Sequence, residues 1–179
     1  MNPLNIWSKS DEEIGRLMSN FAHTPFVLDG ILYSSIEGFY AALLIQGNAA
    51  KQAKVRQMWG VRAKHEIPKL KPQVILYNGE SFKLGSKDHI SLIKQAIRAK
   101  LQTHPEIAAA FVATRPRPIA HETGYADAPD AEFPKEVFCR VLEELREEFA
   151  DCMEKASGQA ENRCEQKPAP DFPIVEPLG

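Results

Sequence analysis

A tight turn followed at once by a helix signal is the feature that most constrains how this chain folds. Residues 26–28 (Phe-Val-Leu) and 31–33 (Ile-Leu-Tyr) are apolar and β-prone, and Asp29-Gly30 lies between them. An Asp-Gly pair supplies the two positive-φ positions that a two-residue hairpin turn requires. The sequence therefore predicts a β-hairpin over residues 26–33, with the next element beginning directly after Tyr33.

The helix predicted after the hairpin carries an acidic residue in its first turn. Ser34 and Glu37 have the spacing of a capping box, in which a serine and a glutamate each bind a backbone N–H at the helix start. Apolar side chains then recur with helical period at Ile36, Phe39, Tyr40, Leu43 and Leu44. We predict a helix that starts at Ser34 and is ended by Gly47, with Glu37 held beside the hairpin.

The remaining pattern predicts an α+β fold, a mainly helical single domain with a small β-sheet. Asn48 can cap a helix that runs to about Trp59. Further helices are predicted from Ser86 or Asp88 to His104, from Pro105, and over residues 134–153. A short strand is predicted at 74–77, a strand or an extended core segment at 111–114, and irregular segments at 60–72 and 115–133. The domain is expected to span 1–153, followed by a polar, proline-containing C-terminal tail over 154–179.

Composition narrows the classes of function. The formal net charge is −2 and the sequence pI is about 6.2, so no overall basic excess favours non-specific nucleic-acid binding. Three cysteines without a CxxC pair indicate neither a disulfide framework nor a zinc site. No signal-peptide pattern and no apolar run of about 18 residues occurs. We expect a cytoplasmic protein without a membrane partner, metal or cofactor; the sequence specifies no oligomeric state.

Three blocks of residues, taken in order, resemble the NADAR (YbiA-like) family. The first is Leu17-Met18-Ser19-Asn20-Phe21, Pro25-Phe26 and Asp29-Gly30, followed by Tyr33, Ser35, Glu37, Tyr40 and Ala41. The second is Ile97-Arg98-Ala99-Lys100-Leu101 with His104-Pro105-Glu106-Ile107 and Ala113-Thr114, and a weaker third comprises His121, Thr123 and residues 142–148. The blocks cover roughly residues 17–149, and their order and spacing make the resemblance specific.

The resemblance implies an enzyme with a NADAR-like fold that hydrolyses an N-glycosidic bond. Its substrate would join ribose-phosphate or ADP-ribose to a base-like amine, as in YbiA-like enzymes that split riboflavin intermediates. The family's essential glutamate falls on Glu37. Two alternatives stay open: removal of ADP-ribose from guanine bases of nucleic acid, and a non-catalytic module that binds ADP-ribose or NAD derivatives. A positive face beside the Glu37 cleft would favour nucleic acid, and a small closed pocket would favour the riboflavin-type substrate.

A carboxylate at Glu37 suits this chemistry. Cleaving an N-glycosidic bond builds positive charge on the anomeric carbon of the sugar, and a nearby carboxylate can stabilise that charge or activate water. The helix N-terminus would favour the ionised form. The competing interpretation is that Glu37 only completes the capping box with Ser34. Both roles can hold only if the carboxylate is not committed to the cap.

Three neighbours of Glu37 are candidate substrate-binding residues. Asn20 could bind a ribose hydroxyl or a phosphate, and Phe21 could stack on a base. Tyr40 follows Glu37 by about one helical turn, so both can face one cleft. The competing interpretation is a turn asparagine, a core phenylalanine and a core tyrosine with a polar tip.

Basic residues are candidates for binding phosphate. Arg62 offers bidentate contacts and Lys64 a point charge, and Ala63-Lys64 resembles a short basic segment of the family. The alternative is a solvated surface run. Arg98 and Lys100 lie on a strongly amphipathic helix and are predicted to be surface residues.

The loop after residue 120 departs from the family pattern. YbiA-like members carry a tryptophan and an aspartate there in a "YWGD"-type segment, whereas residues 121–127 are His-Glu-Thr-Gly-Tyr-Ala-Asp. We expect Tyr125 to replace the aromatic residue and Asp127 or Asp130 to act as the second catalytic acid. His121 is a candidate acid, base or binding residue near neutral pH, and the alternative is a histidine bound to backbone.

Overall fold

The structure, a computed structural model, describes residues 2–124 and 132–165, with side chains through residue 156. It confirms a mainly helical α+β fold. In the described chain, short strands alternate with helices in the order β1 (Leu4–Asn5), α1 (Glu13–Met18), β2 (Phe26–Leu28), β3 (Ile31–Tyr33), α2 (Ile36–Leu44), α3 (Ala49–Arg56), α4 (Gly60–His65), β4 (Val74–Tyr77), β5 (Glu80–Lys83), α5 (Lys87–Thr103), α6 (Pro105–Val112), β6 (Ile119–Ala120) and α7 (Lys135–Glu165).

The strands form three separate two-stranded ladders. Strands β2 and β3 pair antiparallel around the predicted turn, where Asp29 has φ 50° and Gly30 has φ 75°. Strands β4 and β5 form a second hairpin, and β1 pairs in parallel with β6. The predicted hairpin is confirmed. In place of the one small sheet that was predicted, the described strands form three separate two-stranded sheets.

The start of α2 differs from the predicted capping box by one residue. The cap is Ser35, whose hydroxyl accepts from the Gly38 N–H at 2.9 Å and donates to the Met58 carbonyl at 3.0 Å. The Ser34 N–H donates to the Arg56 carbonyl at 2.8 Å, which keeps Ser34 outside the helix. With Ser35 as cap, the residue three positions later is a glycine, which has no side chain to complete a box. The Glu37 carboxyl is therefore not committed to the cap.

Helices α2 and α5 contribute much of the core. The aromatic rings of Phe26, Tyr33 and Phe39 pack together, with centroids 5.0–6.4 Å apart. The predicted apolar face of α5 is confirmed, because Ile93, Ala96, Ile97 and Leu101 are buried, and α7 covers it with Phe138, Val141, Leu142 and Leu145. Within the described ranges, no helix combines the length and apolar character needed to cross a bilayer.

Several predicted boundaries were wrong. The segment 60–72, predicted to be irregular, contains α4. Residues 111–114, predicted to be a strand or an extended core segment, form the end of α6 and a turn. Helical spacing of Ile107, Ala108 and Phe111 after an N-terminal proline outweighs the β preference of a short apolar run. Helix α7 continues past Met153 to Glu165, and a two-residue strand interrupts the predicted loop after Arg115.

Lys100 was predicted to lie on the surface and is buried, with 1% of its area exposed. Its ammonium donates to the carbonyls of Leu17 at 2.6 Å and Ser19 at 3.3 Å. These carbonyls lie at the C-terminal end of α1, where a cation is favoured. Burial lowers the pKa of Lys100 to about 7. Arg98, by contrast, is partly exposed as predicted, and forms a two-pronged ion pair with Glu148 of α7.

The close approach of α2 to the end of α3 predicts a strong effect of Gly38→Ala. A Cβ at Gly38 would lie 2.5 Å from the Met58 carbonyl oxygen and 3.1 Å from that of Val55. We expect the free energy of unfolding to fall by about 2 kcal/mol or more, because backbone must move. Gly79→Ala is the control, since only its positive φ opposes it, at a cost of about 1 kcal/mol. Urea denaturation measures both; equal losses would contradict this packing.

Candidate active site

A cavity of about 230 Å³ lies beside the first turns of α2. Its wall combines polar, charged and apolar side chains from distant parts of the sequence: Asn20, Ile36, Glu37, Tyr40, Lys71, Ile93, Glu132 and Phe133. The cavity thus brings together three of the residues predicted as site residues, Asn20, Glu37 and Tyr40.

Glu37 is buried in this wall, with 8% of its area exposed. Among the described residues, no group donates a hydrogen bond to its carboxyl. Burial raises the pKa of Glu37 to about 7, although the positive charge of Lys64 opposes the rise. The carboxyl was expected to be ionised by the helix N-terminus; desolvation outweighs that effect. A carboxyl with a pKa this near neutral can both donate and accept a proton.

Asn20 binds the backbone of Glu37. Its carbonyl accepts from the Glu37 N–H at 2.9 Å, so the turn before the hairpin is tied to the first turn of α2. The side-chain oxygen Oδ1 is buried and has no hydrogen-bond partner in the described part of the chain. An unpaired buried acceptor costs about 1–3 kcal/mol, which is unusual for a residue with only a structural role.

Tyr40 lies about one helical turn after Glu37 and faces the same cavity, as predicted. Burial, reinforced by the negative charges of Glu132 and Glu37, raises the pKa of Tyr40, so its hydroxyl remains a donor. Behind it lies His89, fully buried, with ring centroids 6.1 Å apart. The Gly85 N–H donates to Nδ1 of His89, which assigns the proton to Nε2.

Three residues of the wall were missed by the sequence analysis: Lys71, Glu132 and Phe133. Lys71 and Glu132 form an ion pair at 2.6 Å. Burial alone would raise the pKa of Glu132, but the pairing with Lys71 prevails and lowers it. The cavity therefore holds two carboxyl groups whose pKa values are displaced in opposite directions, an arrangement typical of acid–base sites. The signal in the sequence was an acid and an aromatic residue at the end of the predicted loop, shortly before α7.

The other predicted residues lie elsewhere. Phe21 follows Asn20 outside the cavity wall, and the Lys64 ammonium sits 5.7 Å above its ring. Arg62 is exposed on α4. His121 does not line the cavity: its Nδ1 lies 2.5 Å from the Ile6 carbonyl oxygen and its ring packs edge-on against Phe138, which matches the backbone-bound alternative.

Three further candidates, Tyr125, Asp127 and Asp130, fall outside the described residues. Their predicted roles therefore stay predictions. Glu132 and Phe133 place an acid and an aromatic ring at the cavity directly after that segment.

The raised pKa of Glu37 predicts that Glu37→Gln stabilises the protein at high pH. In the unfolded chain the carboxyl titrates near 4.5, and in the folded protein near 7, so the folded state holds the proton more tightly. The associated stability is fully present below 4.5 and is lost as pH rises through 7. Glutamine stays neutral, so its free energy of unfolding should exceed that of wild type at pH 8, by at most about 3 kcal/mol.

Chemical denaturation at pH 4, 6 and 8 measures this difference, and Glu13→Gln on an exposed part of α1 serves as control. The control should show no gain that grows with pH. A Glu37→Gln difference that stays constant from pH 4 to 8 would show that the carboxyl is not desolvated.

Comparison with known proteins identifies a family and a similar solved structure. The model of the family described as Bacteriophage protein GP30.3 matches residues 13–147, which include the cavity wall. The NMR structure of the E. coli protein YbiA is 25% identical, covers 87% of this chain and 88% of that chain, and has a TM-score of 0.61. No curated protein matches the chain. The chain thus has a YbiA-like fold, in line with the resemblance found in its sequence, and it belongs to the Bacteriophage protein GP30.3 family.

Proposed function

We propose that this protein is a hydrolase that cleaves the N-glycosidic bond between a phosphorylated ribose and a base-like amine. One observation carries the proposal: the buried carboxyl of Glu37, which is not used to cap the helix, lines a cavity together with Asn20, Tyr40 and the carboxylate of Glu132. The YbiA-like fold and the resemblance of the Glu37 region to the NADAR family support the same chemistry.

The two carboxyl groups suit the two steps of the reaction. Protonated Glu37 donates its proton to the leaving nitrogen as the C–N bond breaks. Ionised Glu132 stabilises the positive charge that builds on the anomeric carbon. Water then adds to that carbon and gives its proton to the Glu37 carboxylate, which restores the starting state.

The rest of the wall suits a compact phosphorylated riboside. The Tyr40 hydroxyl donates to a sugar oxygen, a ligand hydroxyl supplies the donor that Asn20 lacks, and Phe133 offers a face to the base. Lys71 binds phosphate while it remains paired with Glu132, and we expect Arg62 and Lys64 to add positive potential near the opening. The volume of about 230 Å³ is below the roughly 300–1,000 Å³ of sites for drug-sized ligands, which favours a small substrate.

The proposal is tested by incubating purified protein with phosphorylated N-ribosides and measuring released ribose 5-phosphate. Glu37→Gln should lower kcat by about 100-fold or more, because proton transfer to the leaving group is lost. Glu13→Gln, the matched exposed change, should leave the rate unchanged. Hydrolysis by Glu37→Gln at the wild-type rate would exclude this mechanism, and tight ADP-ribose binding without turnover of any riboside would favour the sensor alternative.

A second candidate substrate, ADP-ribosylated guanine in nucleic acid, is favoured by the charge of the segment before β4. Residues 51–72 contain seven cations against the single acid Glu66, a net charge of +6, in a chain whose total is −2: Lys51, Lys54, Arg56, Arg62, Lys64, Lys69 and Lys71. Trp59, 41% exposed, stacks on His23 at 4.2 Å within this surface. Exposed cations combined with an aromatic platform are typical of single-strand binding, and Lys71 links this surface to the cavity.

This candidate predicts salt-dependent binding of single-stranded DNA, measured by fluorescence anisotropy. The double variant Lys54→Glu/Arg62→Glu should weaken binding at least tenfold and reduce the salt slope by about 1.4, because two phosphate contacts to a single strand are lost. Lys94→Glu on α5 is the control, outside the basic segment, and should have a smaller effect. If the double variant and the control behave alike, this surface does not bind the strand and the small riboside remains the favoured substrate.

A further inference from the structure

Lys100 is a buried lysine that does not line the cavity. Lys100 projects from α5 toward the end of α1, and its ammonium donates to the carbonyls of Leu17 and Ser19. Only 1% of the residue is exposed, and no carboxylate within the described ranges pairs with it. A buried ammonium bound only to carbonyls pays a large desolvation cost, so its presence calls for a physical reason.

The carbonyls that Lys100 binds begin the turn that carries Asn20. The Ser19 carbonyl also accepts from the Ala22 N–H at 3.1 Å, and the Ser19 hydroxyl accepts from the Phe21 N–H at 3.2 Å. Asn20 lies inside this turn, and its own carbonyl accepts from the Glu37 N–H. Hydrogen bonds at Ser19 and Asn20, joined by the backbone between these two residues, thus connect the Lys100 ammonium to the backbone of Glu37.

We infer that Lys100 is a positioning residue: its ammonium fixes the turn at residues 19–22 against α2, and so sets the place of Asn20 and the burial of Glu37. An uncharged chain of similar volume would fill the same space more cheaply, since buried charges are often replaced by apolar residues without loss of stability. What the apolar chain would lack is the pair of bonds that orients the turn. The consequence for catalysis rests on the proposed function; the geometric consequence does not.

Lys100→Met tests the inference by a local measurement. The side chains are alike in length, and only the donor is lost. Losing the hydrogen bonds that hold the turn should speed exchange of the Glu37 amide, bonded to Asn20, about tenfold relative to the Gly38 amide, bonded to Ser35. The titration midpoint of the Glu37 carboxyl, followed by ¹³C NMR, should move down from about 7 as water reaches it. Lys94→Met, the same change at a partly exposed ion pair of α5, should alter neither quantity.

A second variant keeps the test decisive if Lys100→Met does not fold. Lys100→Gln retains a neutral N–H donor and should keep part of the Glu37 amide protection. In active protein, Lys100→Met should lower kcat about tenfold or more with a smaller change in KM, because misplacement affects the transition state most. Unchanged Glu37 exchange and titration in a folded Lys100 variant would overturn the inference. Altered exchange in a protein that hydrolyses no riboside would leave the inference standing and reject only the proposed function.

Discussion

The site depends on keeping one ionisable group away from water. Glu37 sits in the second position of α2, where a carboxylate would ordinarily be solvated and favoured by the helix N-terminus. Here the hairpin leads directly into the helix, Ser35 caps it, and the Asn20 carbonyl of the preceding turn accepts from the Glu37 backbone N–H. Desolvation then prevails over the helix dipole, and the group acquires a proton affinity suited to neutral pH.

Other buried polar groups near the cavity also carry a desolvation cost. The Oδ1 of Asn20 and the Nε2 of His89 have no partner in the part of the chain that the structure describes, and the ammonium of Lys100 is bound only by carbonyls. Each lowers the stability of the folded state relative to an apolar residue. Three such groups lie near the candidate site, and a trade of stability for function is typical of active sites. The large apolar core built on α2, α5 and α7 supplies the stability that permits it.

Local signals predicted the fold well where they were complete. The Asp29-Gly30 turn, the Asn48 and Ser86 caps and the period of α5 are contained within a few residues, so each could be predicted from the sequence. The predictions were wrong where contacts between distant parts of the sequence determine the helix cap or the burial of a side chain. Ser34 is withdrawn from the cap by the Arg56 carbonyl, and Lys100 is buried because the end of α1 packs over it. Neither partner is near in sequence, so no local pattern reports them.

The same distinction applies to the site. Asn20, Glu37 and Tyr40 flank the hairpin and could be grouped by proximity, whereas Lys71 and Glu132 meet them only through the packing of α5 and the start of α7. His121 was a candidate acid, base or binding residue because of its residue type, and in the structure its ring nitrogen lies against the Ile6 carbonyl. Residue type identified the chemistry that the chain could perform, and only the packing identified the residues that share a cavity.

The division of the strands into three ladders affects how copies of the protein meet. In the described chain each strand pairs with one other strand, and the two hairpins expose the apolar side chains of Val27, Leu32, Val74 and Leu76. Strands of two to four residues offer few N–H and C=O groups to an incoming chain, and a short edge is a recognised protection against edge-to-edge aggregation. With strands this short, the described part of the fold exposes apolar side chains without offering a long strand edge as a template for fibril growth.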